Sequence, residues 1–211
     1  KRQFQMWTFA PKCVNKLFRN VAEQNERNHY LELIKTIEDN SAIPYNGDIN
    51  NTWIVHPNVR TLTRIEENLG FKESFDHLYY VLHEYNLQRG DRILLHDGFY
   101  EVLDEWHIRD ISIIGIGNSV VIGECQFSSI GETMLHVGNI YLHNLKLQRL
   151  DKEYDCVGDA MIEVQFGGLC LNKCELESYG HTIIMVPANT YLKVDNCGFA
   201  KASTAITISR F

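Results

Sequence analysis

The sequence lacks any apolar run long enough to cross a bilayer. It also lacks the continuous apolar core of a secretory signal near its first residues. Because it does not begin with Met, we expect a domain excised from a longer protein. Basic residues are in the minority, since 20 Lys and Arg stand against 27 Asp and Glu and give a net charge of −7. Such a chain has no basic face that neutralises phosphates throughout, so a general nucleic-acid binder is disfavoured.

Motifs of the common catalytic and metal sites are missing as well. No Ser-His-Asp, Cys-His or phosphate-loop spacing occurs, and the nine histidines are scattered. Cys170 and Cys174 are separated by three residues, but no second Cys/His pair follows at zinc-ligand spacing. Most of the six cysteines fall inside apolar strands, which favours free, packed thiols in a reducing compartment. The sequence therefore predicts no enzyme, no metal and no cofactor.

The first part of the 211-residue chain shows helical spacing of its apolar residues. Two apolar stretches within 11–40 are separated by the entirely polar segment Glu23–Asn28, which predicts either one long helix or two helices. One stretch consists of Val14, Leu17, Phe18 and Val21, and the other of Leu31, Ile34 and Ile37.

Shorter signals follow before residue 86. A strand is predicted at Trp53–Val55. Thr63 and Glu66 are spaced like a capping box, which predicts a short helix ending at Gly70. Ser74 is a predicted N-cap for an amphipathic helix that runs to residue 86.

The second part of the chain repeats itself. Two sets of apolar strands recur, with spacings of 29, 29 and 23 residues in one set and 27, 22 and 22 in the other. A period of about 22 residues with insertions at one corner indicates a solenoid whose turns stack on one another. The first set begins at Ile111, Ile140, Leu169 and Leu192, and the second at Met134, Met161, Ile183 and Ala205.

The corners after the first set of strands also match. They read His143-Asn144-Leu145, Asn172-Lys173-Cys174 and Asp195-Asn196-Cys197, and Asn or Asp at such corners adopts the left-handed conformation. Leu145, Cys174 and Cys197 are predicted to stack inside. An antiparallel sandwich gives no reason for matching corners, and the consensus of a leucine-rich repeat is missing. The predicted fold class is mixed: a helical region over 1–86, including a cap, and a right-handed parallel β-helix over 87–211.

Carbohydrate chemistry is the enzymatic alternative, because polysaccharide lyases and hydrolases share the β-helix architecture. The insertion 151–159 clusters carboxylates that a calcium-dependent lyase would need, although solvated charges are commoner there. Gly180-His181-Thr182 supplies only part of a hydrolase element and lacks its carboxylate partners. Outer-face aromatic rings with histidine neighbours are instead candidates for binding a glycan without cleaving it. These candidates are Trp106, His107, Tyr141, His143, Tyr179 and His181.

Two apolar faces on the 11–40 segment are more than the end of one solenoid can cover. We expect one face to dock on the solenoid and the other to bind a protein partner. The candidate partner-binding residues are Phe18, Val21, Leu31 and Ile34. The alternative is that both faces are buried within a small helical domain packed against Trp53 and Leu62.

A family resemblance covers both parts of the chain. The segment Gly90–Leu95, Gly-Asp-Arg-Ile-Leu-Leu, resembles the entry to β-helices of the pectate-lyase type. With the aromatic-rich helices before residue 86 and the turns ending in Asn144-Leu145 and Asn196-Cys197, the chain resembles nessun dorma and the SHC SH2-domain-binding protein family. It departs from the repeated pattern at Lys173, where the neighbouring turns have asparagine.

The resemblance implies a non-enzymatic cytokinesis scaffold. Its partner would be the centralspindlin complex, through the kinesin-like or the Rho GTPase-activating component. The resemblance also implies β-galactoside binding by the β-helix, and a cytoplasmic protein found at the cleavage furrow, midbody or ring canal during division.

Overall fold

The computed structural model describes residues 11–209 except 41–50, 58–60, 73, 76, 84–86, 103–105, 109–110, 118–119, 125–134, 138, 150–159, 165–166, 180–181 and 189. The helices in this part of the chain are α1 (Pro11–Asn40), α2 (Arg64–Asn68) and α3 (Leu78–His83). The strands are β1 (Thr52–Val55), β2 (Ser74–Phe75), β3 (Arg92–Leu95), β4 (Gly98–Val102), β5 (Trp106–Ile108), β6 (Ile111–Gly115), β7 (Val120–Glu124), β8 (Leu135–Val137), β9 (Ile140–His143), β10 (Lys146–Arg149), β11 (Ala160–Val164), β12 (Gly168–Asn172), β13 (Glu175–Ser178), β14 (Thr182–Pro187), β15 (Tyr191–Asp195), β16 (Gly198–Ala200) and β17 (Thr204–Ser209).

The strands form three sheets, and every recorded pairing is parallel. The first sheet has the order β15-β12-β9-β6-β3-β1-β2, the second β16-β13-β10-β7-β4 and the third β17-β14-β11-β8-β5. From β3 onward, three successive strands therefore enter three different sheets, and the next three repeat the sequence. The chain is thus rich in parallel β-structure, as the repeat predicted.

The pairing register agrees with the repeat found in the sequence. Ile111 pairs with Ile140, Ile140 with Leu169, and Leu169 with Leu192. The second set behaves in the same way through Leu135, Ile162, Ile184 and Ile206. A slip of one residue would exchange the two faces of a strand, so this agreement fixes which side chains share a face.

Three corners of the first sheet have the left-handed backbone that the sequence predicted. Asn144, Lys173 and Asn196 have φ of 53°, 54° and 52°. The Asn144 side chain donates hydrogen bonds to the carbonyl oxygens of Gly115 (2.8 Å) and Gly117 (2.7 Å) on the neighbouring corner. The corner amide thereby ties one layer of strands to the next.

The residues after these corners do stack. Leu145 and Cys174 are buried, and Cys197 is half-buried and packs against the same core. The Cys174 amide lies 3.4 Å from the Cys197 sulfur. Cys170, Cys174 and Cys197 are free thiols, in agreement with the prediction; the side chains of the other three cysteines lie outside the described residues.

Both faces of the first sheet are covered along its central strands. One face contributes Ile93, Ile113, Leu142 and Leu171 to the main core. The other face forms a second cluster with Tyr30 of α1 and with Phe71, and Leu33 and Ile34 of α1 pack against this cluster. The sheet residues of the second cluster are Ile54, Leu94, Ile114, Tyr141 and Cys170. The long helix α1 therefore lies on the outer face of the first sheet.

The helical predictions before residue 86 are partly right. The 11–40 segment is one helix, and α2 has the predicted capping box, with Gly70 at φ 73° after it. The prediction of Ser74 as an N-cap is wrong, because Ser74 and Phe75 pair with Ile54 and Val55 in the first sheet. Pairing with a sheet edge overrides the local helical signal there, and the helix begins only at α3. Its Leu78 and Val81 enter the main core beside the first strands.

Candidate functional site

A buried carboxylate joins the helices to the first sheet. The side chain of Glu66 in α2 is fully buried. Its Oε1 lies 3.1 Å from His56 Nε2 and 3.2 Å from His96 Nε2, and it accepts a 2.8 Å hydrogen bond from the Tyr30 hydroxyl. The two imidazole rings stack at 3.7 Å between centroids, with 19° between their planes. We call Tyr30, His56, Glu66 and His96 the Glu66 cluster.

The sheet register brings the two histidines together. Val55 of β1 pairs with Leu95 of β3 at the ends of these two strands. The residues that follow, His56 and His96, therefore lie side by side. The His96 amide donates to the Val55 carbonyl (3.0 Å), which extends the ladder to this point. Adjacent parallel strands are about 4.8 Å apart, and this spacing lets the two rings stack.

The capping box places the carboxylate. The Thr63 amide donates to Glu66 Oε2 (2.7 Å), and the Glu66 amide donates to the Thr63 hydroxyl (3.3 Å). This reciprocal pair satisfies two amides of the first turn of α2 and fixes the glutamate rotamer. The other carboxylate oxygen is then directed at His56, His96 and Tyr30.

The electrostatics of the cluster favour a charged glutamate. Burial alone would raise the pKa of Glu66, but hydrogen bonds from His56, His96, the Thr63 amide and Tyr30 outweigh burial and hold the pKa well below its usual range. Burial, followed by the Glu66 carboxylate, raises the pKa of Tyr30 well above its usual range. Tyr30 therefore stays protonated at neutral pH and donates to a negatively charged partner.

The predicted partner-binding residues divide between two faces of α1. At about 100° per residue, Val21 lies about 180° and Phe18 about 120° around the helix from Tyr30. Phe18, Val21 and Leu31 are 69%, 51% and 45% exposed. The placement of Ile34 on the partner face is wrong, because it is half-buried against the sheet cluster beside Tyr30. Its position, about 40° from Tyr30, puts it on the docked face.

The predicted glycan platform is not assembled in the described residues. Tyr141 and His143 are buried rather than on an outer surface, and the Tyr141 hydroxyl lies 3.1 Å from His143 Nδ1. Their position under α1 explains the error, since strand alternation identifies an outer face but does not show that a helix covers it. Tyr179 is half-buried, and Lys201 covers its ring with Nζ 4.5 Å from the centroid and also donates to its hydroxyl.

Other predicted site residues are described only in part. Trp106 and His107 lie in β5, where they pair with Leu135 and His136, but their side chains lie outside the described residues. His181 and the acidic insertion 151–159 also lie outside them.

A groove with polar walls runs between α1 and the corners of the first sheet. Its volume is about 350 Å³. Burial, with a smaller contribution from the charge of Lys173, lowers the pKa of His143 to about 4, so a neutral imidazole faces this groove. The polar lining residues are His29, Glu32, Thr36, His143, Asn144 and Lys173.

Sequence reasoning missed the Glu66 cluster. The capping box is visible in the sequence, but by itself this pattern indicates only the start of a helix. His56 and His96 are 40 residues apart in the sequence and share no motif. The one available signal was that each histidine directly follows an apolar strand. Its value depends on knowing that those two strands are neighbours.

The comparisons with known proteins add no relative: no protein-family profile, no curated protein and no solved structure matches the chain. No helix in the described part of the chain combines the length and the apolar character needed to cross a bilayer.

Proposed function

We propose that this chain is a non-enzymatic interaction scaffold of the nessun dorma and SHC SH2-domain-binding protein kind, and that it binds the centralspindlin complex. We further propose that its three parallel sheets are the walls of a right-handed parallel β-helix. The regular passage of the chain through the three sheets supports this winding. The strong right-handed preference of parallel crossover connections supports its hand.

The observation that carries the proposal is the division of α1 into two apolar faces. The face with Tyr30, Leu33 and Ile34 packs on the sheet. Phe18 and Val21 lie together on the opposite side of the helix, about 60° apart around its axis, and are more than half exposed. Exposed large apolar side chains on one helix face are typical of a site where a helix or a groove of another protein docks.

The Glu66 cluster supports a scaffold role because it holds α1 in place. The Tyr30 hydroxyl links α1 to Glu66 of α2, and Glu66 contacts His56 and His96 at the ends of two strands. These contacts fix α1 on the sheet. A rigid helix loses less conformational entropy when a partner binds its free face.

Polar substitution of the free face tests the proposal. The double variant Phe18→Gln/Val21→Gln should weaken binding to purified centralspindlin at least about tenfold, which corresponds to roughly 1.4 kcal/mol. Its melting temperature should stay within a few degrees of the parent, since exposed positions contribute little to folding. Binding is measured separately for the kinesin-like and the Rho GTPase-activating components.

A matched control comes from the docked face of the same helix. Ile34→Gln should lower the melting temperature, because it puts a polar group against the buried sheet cluster. Equal loss of stability and binding in the double variant would show that Phe18 and Val21 are core residues. Unchanged binding in the double variant would exclude this face of α1 as the contact.

Glycan binding is a second candidate function, and the polar groove under α1 favours it. The groove offers an imidazole, a carboxylate, a hydroxyl and an ammonium group, which are the hydrogen-bonding partners that sugar hydroxyls need. A β-galactoside array should show binding that His143→Phe abolishes. Binding that survives this substitution would place the sugar elsewhere, and an array without signal would leave the scaffold role alone.

The enzymatic alternative and the cellular site have direct assays. We expect no unsaturated product when the chain is incubated with pectic polysaccharides. Appearance of such a product would favour a lyase. We also expect the tagged full-length protein to be cytoplasmic and to gather at the cleavage furrow, midbody or ring canal, where a centralspindlin scaffold acts.

A further inference from the structure

The donor set of the Glu66 cluster is one that binds transition metals. His56, Glu66 and His96 each offer one ligand atom, and these atoms all lie within 4.8 Å of one another. Two imidazole nitrogens and one carboxylate oxygen are the ligands of many zinc sites and of other first-row divalent ions. Holding α1 in place does not by itself require a donor set of two imidazoles and one carboxylate.

Two of the three separations between the ligand atoms are close to those of a tetrahedral site. With metal–ligand bonds of about 2.0–2.2 Å, neighbouring ligand atoms lie about 3.3–3.6 Å apart. The corresponding distances are 3.1 Å from His56 Nε2 and 3.2 Å from His96 Nε2 to Glu66 Oε1. These two separations would have to lengthen by a few tenths of an ångström to admit an ion. The stacked rings must also turn apart, because parallel imidazoles do not aim both Nε2 lone pairs at one point.

Glu66 Oε1 is the atom on which the cluster converges. Its close partners are the Tyr30 hydroxyl and the two Nε2 atoms. His56 Nε2 also lies 3.3 Å from Glu66 Oε2, and the Tyr30 hydroxyl lies 3.3 Å from His96 Nε2, so hydrogen bonds compensate the buried charge when no ion is bound. A divalent cation would take over that compensation from the two imidazole groups. The Thr63 amide holds the other oxygen and, like the Tyr30 hydroxyl, would orient the carboxylate as an outer partner of the ligand.

Access to the cluster is from the histidine side. The His96 side chain is 30% exposed and that of His56 is 13% exposed, while Glu66 is fully buried. An ion entering here would meet the histidines first and would keep room for water as a fourth ligand.

We propose that His56, Glu66 and His96 bind one divalent transition-metal ion of the zinc type, with Tyr30 as an outer partner. The ion would cross-link α2 to the ends of β1 and β3, and through Tyr30 to α1. The ion would thereby clamp the docked helix to the sheet.

Titration of the tag-free, chelator-treated full chain with Co²⁺ tests the site. We expect one equivalent to produce the visible d–d bands of a four- or five-coordinate complex, and Zn²⁺ to displace it and raise the melting temperature. His96→Ala, a change at a partly exposed ligand, should abolish the bands. Tyr30→Phe should weaken binding about 10–100-fold, as expected for an outer partner.

His29→Ala is the matched control, because His29 is an exposed histidine of α1 outside the cluster. It should bind Co²⁺ like the parent. Absence of d–d bands and of saturable binding in the parent, or binding by His96→Ala as tight as the parent's, would overturn the proposal. These outcomes are independent of the scaffold function, which depends on Phe18 and Val21.

Discussion

Replacing Lys173 by asparagine should stabilise the chain. Lys173 has φ of 54° at a corner where Asn144 and Asn196 occupy the equivalent positions with φ of 53° and 52°. A left-handed backbone costs most residues other than glycine roughly 1–2 kcal/mol. Asparagine tolerates it better, because its short amide side chain forms local hydrogen bonds there. We expect Lys173→Asn to recover about 0.5–1 kcal/mol of the free energy of unfolding, or about 1–4 °C in melting temperature for a chain of this size.

Urea unfolding at pH 7 measures the effect, and two further variants isolate its cause. Lys72→Asn makes the same change in charge at an exposed position outside the left-handed region, and it should alter stability by less than about 0.5 kcal/mol. Asn196→Lys makes the reverse change at a left-handed corner and should destabilise by about the amount that Lys173→Asn gains. If Lys173→Asn is no more stable than the parent while Lys72→Asn is neutral, backbone strain at the corner does not limit stability.

Three other predictions concern packing, pH and the Glu66 cluster. Gly115→Ala should lower the free energy of unfolding, measured in urea, by about 1–3 kcal/mol, because its new Cβ would lie 2.2 Å from a backbone oxygen of the next corner. Gly198→Ala is the control and should be neutral, because a Cβ there would have no atom within 4 Å. Burial lowers the pKa of His143 to about 4, against about 6.5 in the unfolded chain, so the unfolded state takes up the proton first as the pH falls. Unfolding free energies measured from pH 7 down to pH 4 should therefore fall by up to about 3 kcal/mol, and this dependence should be weaker in His143→Gln. Tyr30→Phe removes the 2.8 Å hydrogen bond to the Glu66 carboxylate and should cost about 1.5–3 kcal/mol, measured with EDTA present; a loss below about 0.5 kcal/mol would show that this bond does not hold α1.

The parallel pairing was predictable because equivalent strands recur at regular spacing in the sequence. Ile111, Ile140, Leu169 and Leu192 recur with the same neighbours, and parallel stacking is the arrangement that places such equivalent residues side by side. The left-handed corners were predictable for a similar reason, since Asn144 and Asn196 favour that backbone themselves. Lys173 was identified from its neighbours alone.

The sequence did not show which outer faces are buried and which are exposed. Alternation placed Tyr141 and His143 opposite the main core, but only the docking of α1 buried them. The same docking assigned Ile34 to the sheet and left Phe18 and Val21 exposed, although all three had looked alike as apolar residues at helical spacing. Burial depends on which element covers a face, and that element comes from a distant part of the chain.

The sequence by itself determined two of the three recurring sets of strands, the repeat, the corner conformations and the capping box of α2, because each of these depends on residues close together in the chain. Only the tertiary structure decided that Ser74 pairs in the sheet, that α1 lies over its outer face, and that Tyr30, His56, Glu66 and His96 meet. These contacts join residues that are 10 to 66 positions apart. Their geometry comes from the sheet register and the helix docking, which no local pattern encodes.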